Sequence, residues 1–271
     1  MNLEQEIKLS DKQASVLHLL WTGGWDSTFR LLQLLFQEEK FVKPYYVIRP
    51  QPSTGKEIDT IHNIRRNISR NYPKAAQLIR PVEYINVDNI KPDPKIKQAY
   101  DSIKKSAYIA PQYEMFARYC KQNGLENLEI GIEKGTRSHQ LIEDFVKESE
   151  VSKFKVDRNL APQPFYDLFK YFNFPLLKYT KLDMEAVARE QGWLELMKMT
   201  WFCRRPKNGH PCGFCGPCTD VVIDGLGWRL PVRARIIANI QLPFRKWWRN
   251  NYQKQNEGVF KQVPKLFRGR F

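Results

Sequence analysis

The first run of consecutive apolar positions, Ala14 to Trp21 (ASVLHLLW), ends at a glycine turn and is followed by Phe29, Leu31, Leu32, Leu34, Leu35 and Phe36 at helical spacing. A short continuous run and then a 3.6-residue period predict a buried strand, a turn and a helix. The alternation recurs. Lys43 to Arg49 (KPYYVIR) reads as a second strand and Ile58 to Asn71 as a basic helix; Val82 to Val87 (VEYINV) reads as a third strand, followed by a charged helical stretch and by Pro111 to Asn123 as an apolar-faced helix. Leu128 to Ile132 (LEIGI) reads as a fourth strand and Met184 to Gln191 as a further helix. Strands alternating with helices at this pitch predict an α/β fold built on a doubly wound parallel sheet. Lys91 to Lys105 and Arg137 to Leu160 are charged and weakly periodic, and are predicted to be loops or insertions over one face of the sheet. After about Trp228 the rhythm stops. The organisation expected is an α/β domain over residues 1–200, a small cysteine lobe over 201–228 and a basic, aromatic extension over 229–271.

Composition sharpens this picture. At 271 residues with 42% hydrophobic content, the chain can bury one sizeable core. No run of eighteen apolar residues occurs, and the opening MNLEQEIKLSDKQ lacks the apolar centre of a signal peptide, so a cytoplasmic protein with no membrane segment is expected. The formal charge of +15 calls for a polyanionic partner: a nucleotide, a nucleic acid or an acidic protein surface. The imbalance peaks at the end, where Arg229 to Phe271 carries eleven lysines and arginines against the single acid Glu257.

The sharpest local signal is Thr22-Gly23-Gly24-Trp25-Asp26-Ser27-Thr28, where the first strand gives way to the first helix. Two glycines let the chain turn tightly and let an anion approach main-chain N–H groups, while Ser27 and Thr28 open a helix whose free N–H groups favour negative charge. Asp26 in such a turn would repel phosphate unless a cation lies between them, which points to a Mg2+ ligand. A glycine pair with a capping residue also reads as an ordinary strand-to-helix turn. Position weighs against that reading, because the carboxyl edge of the sheet is where α/β proteins take ligands. Neither the dinucleotide pattern G-x-G-x-x-G nor the Walker pattern fits.

Four of the five cysteines lie within sixteen positions, as Cys203, Cys212, Cys215 and Cys218 in the spacing C-x8-C-x2-C-x2-C. Close pairs on turns suit tetrahedral thiolate ligation, with Zn2+ the first reading and an iron–sulfur cluster the competitor. Four protein ligands make a closed, structural site. His210 is read as a bystander, and Cys120 as an inert core thiol.

Thr22 to Ser27 resembles the S-G-G-x-D-S pyrophosphate loop of the PP-loop ATP pyrophosphatases, with threonine for the first serine. The cysteine spacing after Thr200-Trp201-Phe202-Cys203, together with Phe174 to Lys181 (FPLLKYTK), is similar to the 7-cyano-7-deazaguanine synthase family within that class. Pro111 and Ile130-Gly131-Ile132 match it more loosely, and the likeness spans roughly residues 14 to 228. The resemblance implies an adenine-nucleotide alpha-hydrolase-like fold, ATP, Mg2+ and Zn2+, and a homodimer. It also implies a reaction in which a 7-carboxy-7-deazaguanine carboxylate is adenylated and an amine displaces AMP. By the same resemblance Gly23, Gly24 and Ser27 hold pyrophosphate, Asp26 holds Mg2+ and Lys181 neutralises phosphoryl charge, with Asp26, Ser27 and Lys181 as the catalytic set. Lys181 by itself also reads as a solvated helix lysine. The chain departs from the family at Val47-Ile48-Arg49-Pro50, at Gln112-Tyr113-Glu114 and at Glu133 to Arg137, so a changed acceptor is expected, such as a macromolecular amine in nucleic-acid modification or phage defence.

Two other readings stay open: a lysidine-forming or thiolating PP-loop enzyme acting on tRNA, and a catalytically silent nucleotide-binding module. The extension interleaves cations with Phe244, Trp247, Trp248 and Tyr252, with Phe260, Phe267 and Phe271 beyond. That mixture fits single-stranded nucleic acid or an acidic protein, and equally a helix that packs its aromatics on the core.

Overall fold

The computed structural model describes residues 16–149, 153–245 and 247. Strand β1 (Leu17–Leu20) leads into α1 (Trp25–Leu32), and β2 (Val42–Ile48) into α2 (Thr54–Asn71) and the single turn α3 (Pro73–Ala76). Strand β3 (Glu83–Asn86) precedes α4 (Pro94–Lys104) and α5 (Gln112–Gln122), and β4 (Leu128–Glu129) precedes α6 (Arg137–Ile142). Then come β5 (Val146–Ser149), β6 (Lys153–Val156), α7 (Gln163–Phe169) and β7 (Phe172–Asn173). Helices α8 (Lys181–Glu190), α9 (Leu194–Lys198), α10 (Gly216–Ile223) and α11 (residues 232–245) complete the described chain.

The strands form one sheet in the order β3-β2-β1-β4-β7-β6-β5. From β3 to β7 every pairing is parallel, with Leu19 opposite both Pro44 and Glu129 and Val47 opposite Ile85. Side chains alternate across the sheet as a period of two requires. Leu19, Trp21, Val42 and Tyr46 join a cluster with α1, α2, α8, α9 and the cysteine segment, whereas Leu20, Tyr45, Val47 and Ile85 join another with α4, α5 and α7. Helices thus cover both faces, and strands buried on two sides read as the apolar runs seen in the sequence. The chain builds β1, β2 and β3 outward in one direction and then returns to lay β4 on the other side of β1. That reversal leaves a crevice at the carboxyl ends of β1 and β4, the usual ligand position in an open α/β sheet.

Three expectations need correction. The sheet is not wholly parallel, because β6 runs antiparallel to both β5 and β7. Most of Lys91 to Lys105 is helix α4, started by Asp93, whose carboxylate accepts from Ile96 N at 3.0 Å, and buried through Ile96, Ala99, Tyr100 and Ile103. Arg137 to Leu160 supplies a helical turn and the β5–β6 edge of the sheet rather than a loop. In both stretches lysines and acids dilute a real apolar period. The cysteine segment and α11 share one hydrophobic cluster with β1 through Cys203, Cys212, Cys218, Leu230, Ala234 and Ala238.

An ion pair pins α1 to β4 beneath the crevice. Arg30 Nε and Nη2 donate to the two carboxylate oxygens of Glu129 at 2.7 and 2.9 Å, and Nη1 reaches Glu38 at 2.5 Å. Arg30 and Glu129 are 2% and 3% exposed, so removing Arg30 leaves the Glu129 charge desolvated and, among the described residues, unpaired, whereas Arg30 would keep Glu38 if Glu129 were lost. Arg30→Ala is expected to cost about 3–5 kcal/mol, read from urea unfolding; a loss under about 1 kcal/mol, the scale of an exposed pair, would show that the pair does not anchor the helix.

Candidate active site and metal centre

After β1 the chain must reverse from strand to helix within four residues. Trp21 is fully buried, and its Nε1 donates to Thr28 Oγ1 at 3.0 Å. Gly23 makes the turn at φ +69°, where a Cβ would lie 3.1 Å from Thr60 Cγ2 and 3.3 Å from Glu57 O. Gly24 caps α1 in extended conformation, and no side chain caps the helix. Among the described residues, no main-chain N–H from Gly23 to Ser27 donates to a protein acceptor; Thr28 N, bonding Gly24 O at 3.0 Å, is the first of the turn to close a helical bond. Five successive free donors at the positive end of a helix form a cradle for an anion. Ser27 Oγ accepts from Thr22 N at 3.2 Å and lies 3.3 Å from Thr22 Oγ1, clipping the turn across its mouth.

Not all seven residues of the turn face a ligand. Thr28 is fully buried with its hydroxyl committed to Trp21, and Trp25 is 4% exposed. Both brace the turn from within.

Asp26 and Lys181, 155 residues apart in sequence, meet at the crevice. Lys181 Nζ donates to Asp26 Oδ1 at 2.8 Å and to Glu133 Oε1 at 2.7 Å. The lysine is the first residue of α8, whose capping box is set by Thr180 and Asp183: Asp183 N donates to Thr180 Oγ1 at 3.1 Å, and Thr180 N to Asp183 Oδ2 at 2.8 Å. A cation at the positive end of a helix is misplaced by the helix dipole. Burial alone would lower the Lys181 pKa further, yet Asp26 and Glu133 outweigh it and raise the value above that of a free lysine. In return, burial first and Asp26 second hold the Glu133 carboxyl well above the usual range. Lys181 is therefore a half-enclosed ion-pair partner and not a solvated helix lysine. Close passage of the two strand ends depends on Gly131, where a Cβ would sit 3.1 Å from Asp26 Cβ and 3.4 Å from Ser27 N.

The cysteine segment walls the other side. Trp201 N donates to Gly23 O at 2.9 Å, so the turn and the segment share a main-chain bond. Arg229 lies with its guanidinium 4.5 Å from the Trp25 ring centre and 4.7 Å from that of Phe202, while Nη2 donates to Thr200 O at 3.0 Å and to Thr200 Oγ1 at 2.6 Å. Burial brings its pKa down to about 10, opposed by Asp26.

The four cysteine sulfurs lie within 4.8 Å of one another, with nearest separations of 3.6 Å (Cys203–Cys212), 3.9 Å (Cys212–Cys218), 3.8 Å (Cys203–Cys215) and 3.5 Å (Cys215–Cys218). A tetrahedron of sulfurs about 2.3 Å from a central Zn2+ has edges of about 3.8 Å, so the spacing fits one ion. A cluster of several irons, each taking one thiolate, requires sulfurs splayed farther apart. Cys212 N and Cys215 N donate to the sulfurs of Cys203 and Cys212 at 3.3 and 3.4 Å, which favours thiolate character. His210 is exposed and stands outside the group.

Helix α11 presses on this centre through small residues. Gly213, at φ +81°, would place a Cβ 2.4 Å from Ala234 O. Ala234 and Ala238 are buried, whereas Val232, Ile236, Ile240 and Phe244 are 55–74% exposed and Trp247 is 60% exposed. Phe244 and Trp247 therefore face outward rather than into the core. Trp248, Tyr252, Phe260, Phe267 and Phe271 lie outside the described residues.

Sequence reasoning named Asp26, Ser27, Lys181 and the four cysteines, and the structure brings them to two adjoining sites. It missed Glu133 and Arg229. Glu133 stands two residues after Gly131 beyond a strand end, a signal that could have drawn notice; Arg229 was hidden among the cations of the extension. No protein-family model matches the chain, and no curated protein matches it. Among the described residues no helix is long and apolar enough to cross a membrane.

Two outcomes are expected. Gly23→Ala should lose about 1–2 kcal/mol, measured by denaturant unfolding, since only glycine accepts this backbone without strain. The native protein should hold one equivalent of zinc by elemental analysis and, on chelation, expose four thiols to a disulfide reagent together with a fall in melting temperature. Cys120, whose thiol burial pushes up to about 12, should react only on global unfolding.

Proposed function

We propose that the chain is an ATP-dependent adenylating ligase of the PP-loop class, acting on a carboxylate such as that of a 7-carboxy-7-deazapurine, with an amine as the second substrate. The observation that carries this reading is the row of five free N–H groups from Gly23 to Ser27, laid beside Asp26 and Lys181 at the point where the strand order reverses. Such a row matches the tail phosphates of a nucleotide, and the neighbouring carboxylate matches the divalent cation that accompanies them.

In this reading the substrate carboxylate attacks the α-phosphorus, pyrophosphate leaves into the N–H cradle, and an amine then displaces AMP from the acyl adenylate. The donors of the turn stabilise charge that builds on the departing oxygens. Asp26 and Glu133 supply the oxygens around which Mg2+ would be held, and Mg2+ would neutralise phosphate charge there. Lys181, already bound to both carboxylates, is placed to follow the charge as it moves. Zn2+ would be held by Cys203, Cys212, Cys215 and Cys218, a closed set that takes no part in the reaction but fixes the wall carrying Trp201.

The spacing of the sulfurs favours this zinc-bearing reading over a cluster-dependent thiolation of tRNA. The acceptor is ammonia or a macromolecular amine, and the exposed apolar and cationic surface of α11 supports a macromolecule.

Incubation with 7-carboxy-7-deazaguanine, ATP and Mg2+ is expected to release AMP and pyrophosphate in equal amounts, and Asp26→Ala to slow that release by about 100- to 1,000-fold. Release of ADP and phosphate instead, or AMP formation indifferent to Asp26, would remove the adenylation reading.

A further inference from the structure

Arg229 presents a charge that the fold does not answer. Its guanidinium is clamped between the faces of Trp25 and Phe202, and one nitrogen, Nη2, is spent on Thr200. Among the described residues no carboxylate comes within ion-pair distance, and neither Nε nor Nη1 has a protein acceptor. The other cation of the crevice differs, because Lys181 is held by two carboxylates. A guanidinium held rigid and partly out of water without a counter-ion is costly to maintain. The clamp also removes the rotamer freedom that an exposed arginine would lose on binding, so the cost of ordering it for an anion is already met within the fold.

The direction of that charge follows from its neighbours. Trp25, on which Arg229 stacks, is itself a residue of the turn, between Gly24 and Asp26, and the N–H groups on both sides of it are free. Asp26 is the acid that acts on the Arg229 charge. We propose that Arg229 is an anion-binding residue of the crevice, taking an oxygen of the pyrophosphate portion of a nucleoside triphosphate through Nε or Nη1. This rests on the nucleotide-site reading given above and adds to it the cation that the turn lacks, since Asp26, Glu133 and Lys181 together carry no excess of positive charge. The residue comes from the segment after the metal centre, so the centre delivers a ligand-binding group as well as a wall.

A substrate carboxylate is the other anion that a guanidinium could take, and the two are separated by protection. Native protein is treated with phenylglyoxal, and modification at Arg229 is followed by peptide mass spectrometry, alone, with inorganic pyrophosphate, and with 7-carboxy-7-deazaguanine. Pyrophosphate is expected to slow modification of Arg229 at least tenfold, and the carboxylate alone to leave the rate unchanged. In parallel, Arg229→Gln is expected to weaken pyrophosphate binding about 10- to 100-fold by calorimetry, and Arg229→Lys to recover part of the loss. Zinc content and melting temperature of the variants show whether the wall is intact; if Arg229→Gln loses zinc, the protection rates in the native protein decide. Pyrophosphate that binds native protein yet leaves Arg229 unprotected overturns this proposal alone, as does protection by the carboxylate only. Native protein that binds neither pyrophosphate nor ATP overturns the nucleotide reading and this proposal with it.

Discussion

One ammonium nitrogen draws together three parts of the chain that have no local reason to meet. Lys181 Nζ bonds Asp26 after β1 and Glu133 after β4, across 155 and 48 residues of sequence. Each contact corrects a defect in the others: the lysine sits at the wrong end of α8 for its charge, and the two carboxylates are too close to remain ionised together without it. Loss of the lysine would therefore do more than remove a contact, since it would drive the carboxylates apart or force one to take up a proton. The crevice at the strand reversal owes its width to this bond and to Gly131, which lets the end of β4 lie against Asp26.

The metal centre acts on the same crevice from the opposite wall. A metal ion held by Cys203, Cys212, Cys215 and Cys218 would supply order that such a short segment cannot draw from a core of its own. Trp201 N then bonds Gly23 O, fixing the glycine that turns the cradle, and Thr200 anchors Arg229. The four-cysteine segment thus shapes the turn from outside it: displacement of the segment would release one carbonyl of the turn and carry away the guanidinium above Trp25.

Legibility in the sequence followed the range of the interactions involved. Strands β1, β2 and β4 were placed closely because burial on both faces makes a largely apolar run, a local property; β3 is an edge strand in which Glu83 and Asn86 are exposed. Strand β7, only Phe172–Asn173, is too short to announce itself, and β5 and β6 are written in lysines and acids because they form the solvent-washed edge of the sheet. Helix α4 showed only as a charged helical stretch without bounds, and its residues also read as a loop, although Ile96, Ala99, Tyr100 and Ile103 hold a clean helical period. At the site, the glycine turn and the cysteines are local motifs and were read directly. Lys181 was reached through the family likeness, while Glu133 was seen only as a departure from it and Arg229 only as part of a basic tail. Their partners are tertiary, and no spacing along the chain encodes a ring stacked under a guanidinium from a turn two hundred residues earlier.

Helix α11 shows how far the metal centre's influence extends. Its buried side is built of Ala234 and Ala238, set so close to Gly213 that no larger residue fits at that glycine. Small residues on both sides make a close contact that buries little apolar area. The outward side carries Val232, Ile236, Ile240 and Phe244 at intervals of four, with Arg233 and Arg235 among them, and Asp224 and Glu257 are the nearest acids on either side in the sequence. An exposed apolar stripe of this regularity is unusual on a lone protein surface. Because α11 packs against Gly213 while Trp201 N bonds Gly23 O, the four-cysteine segment lies between that stripe and the glycine turn, and ties both to the same stretch of chain.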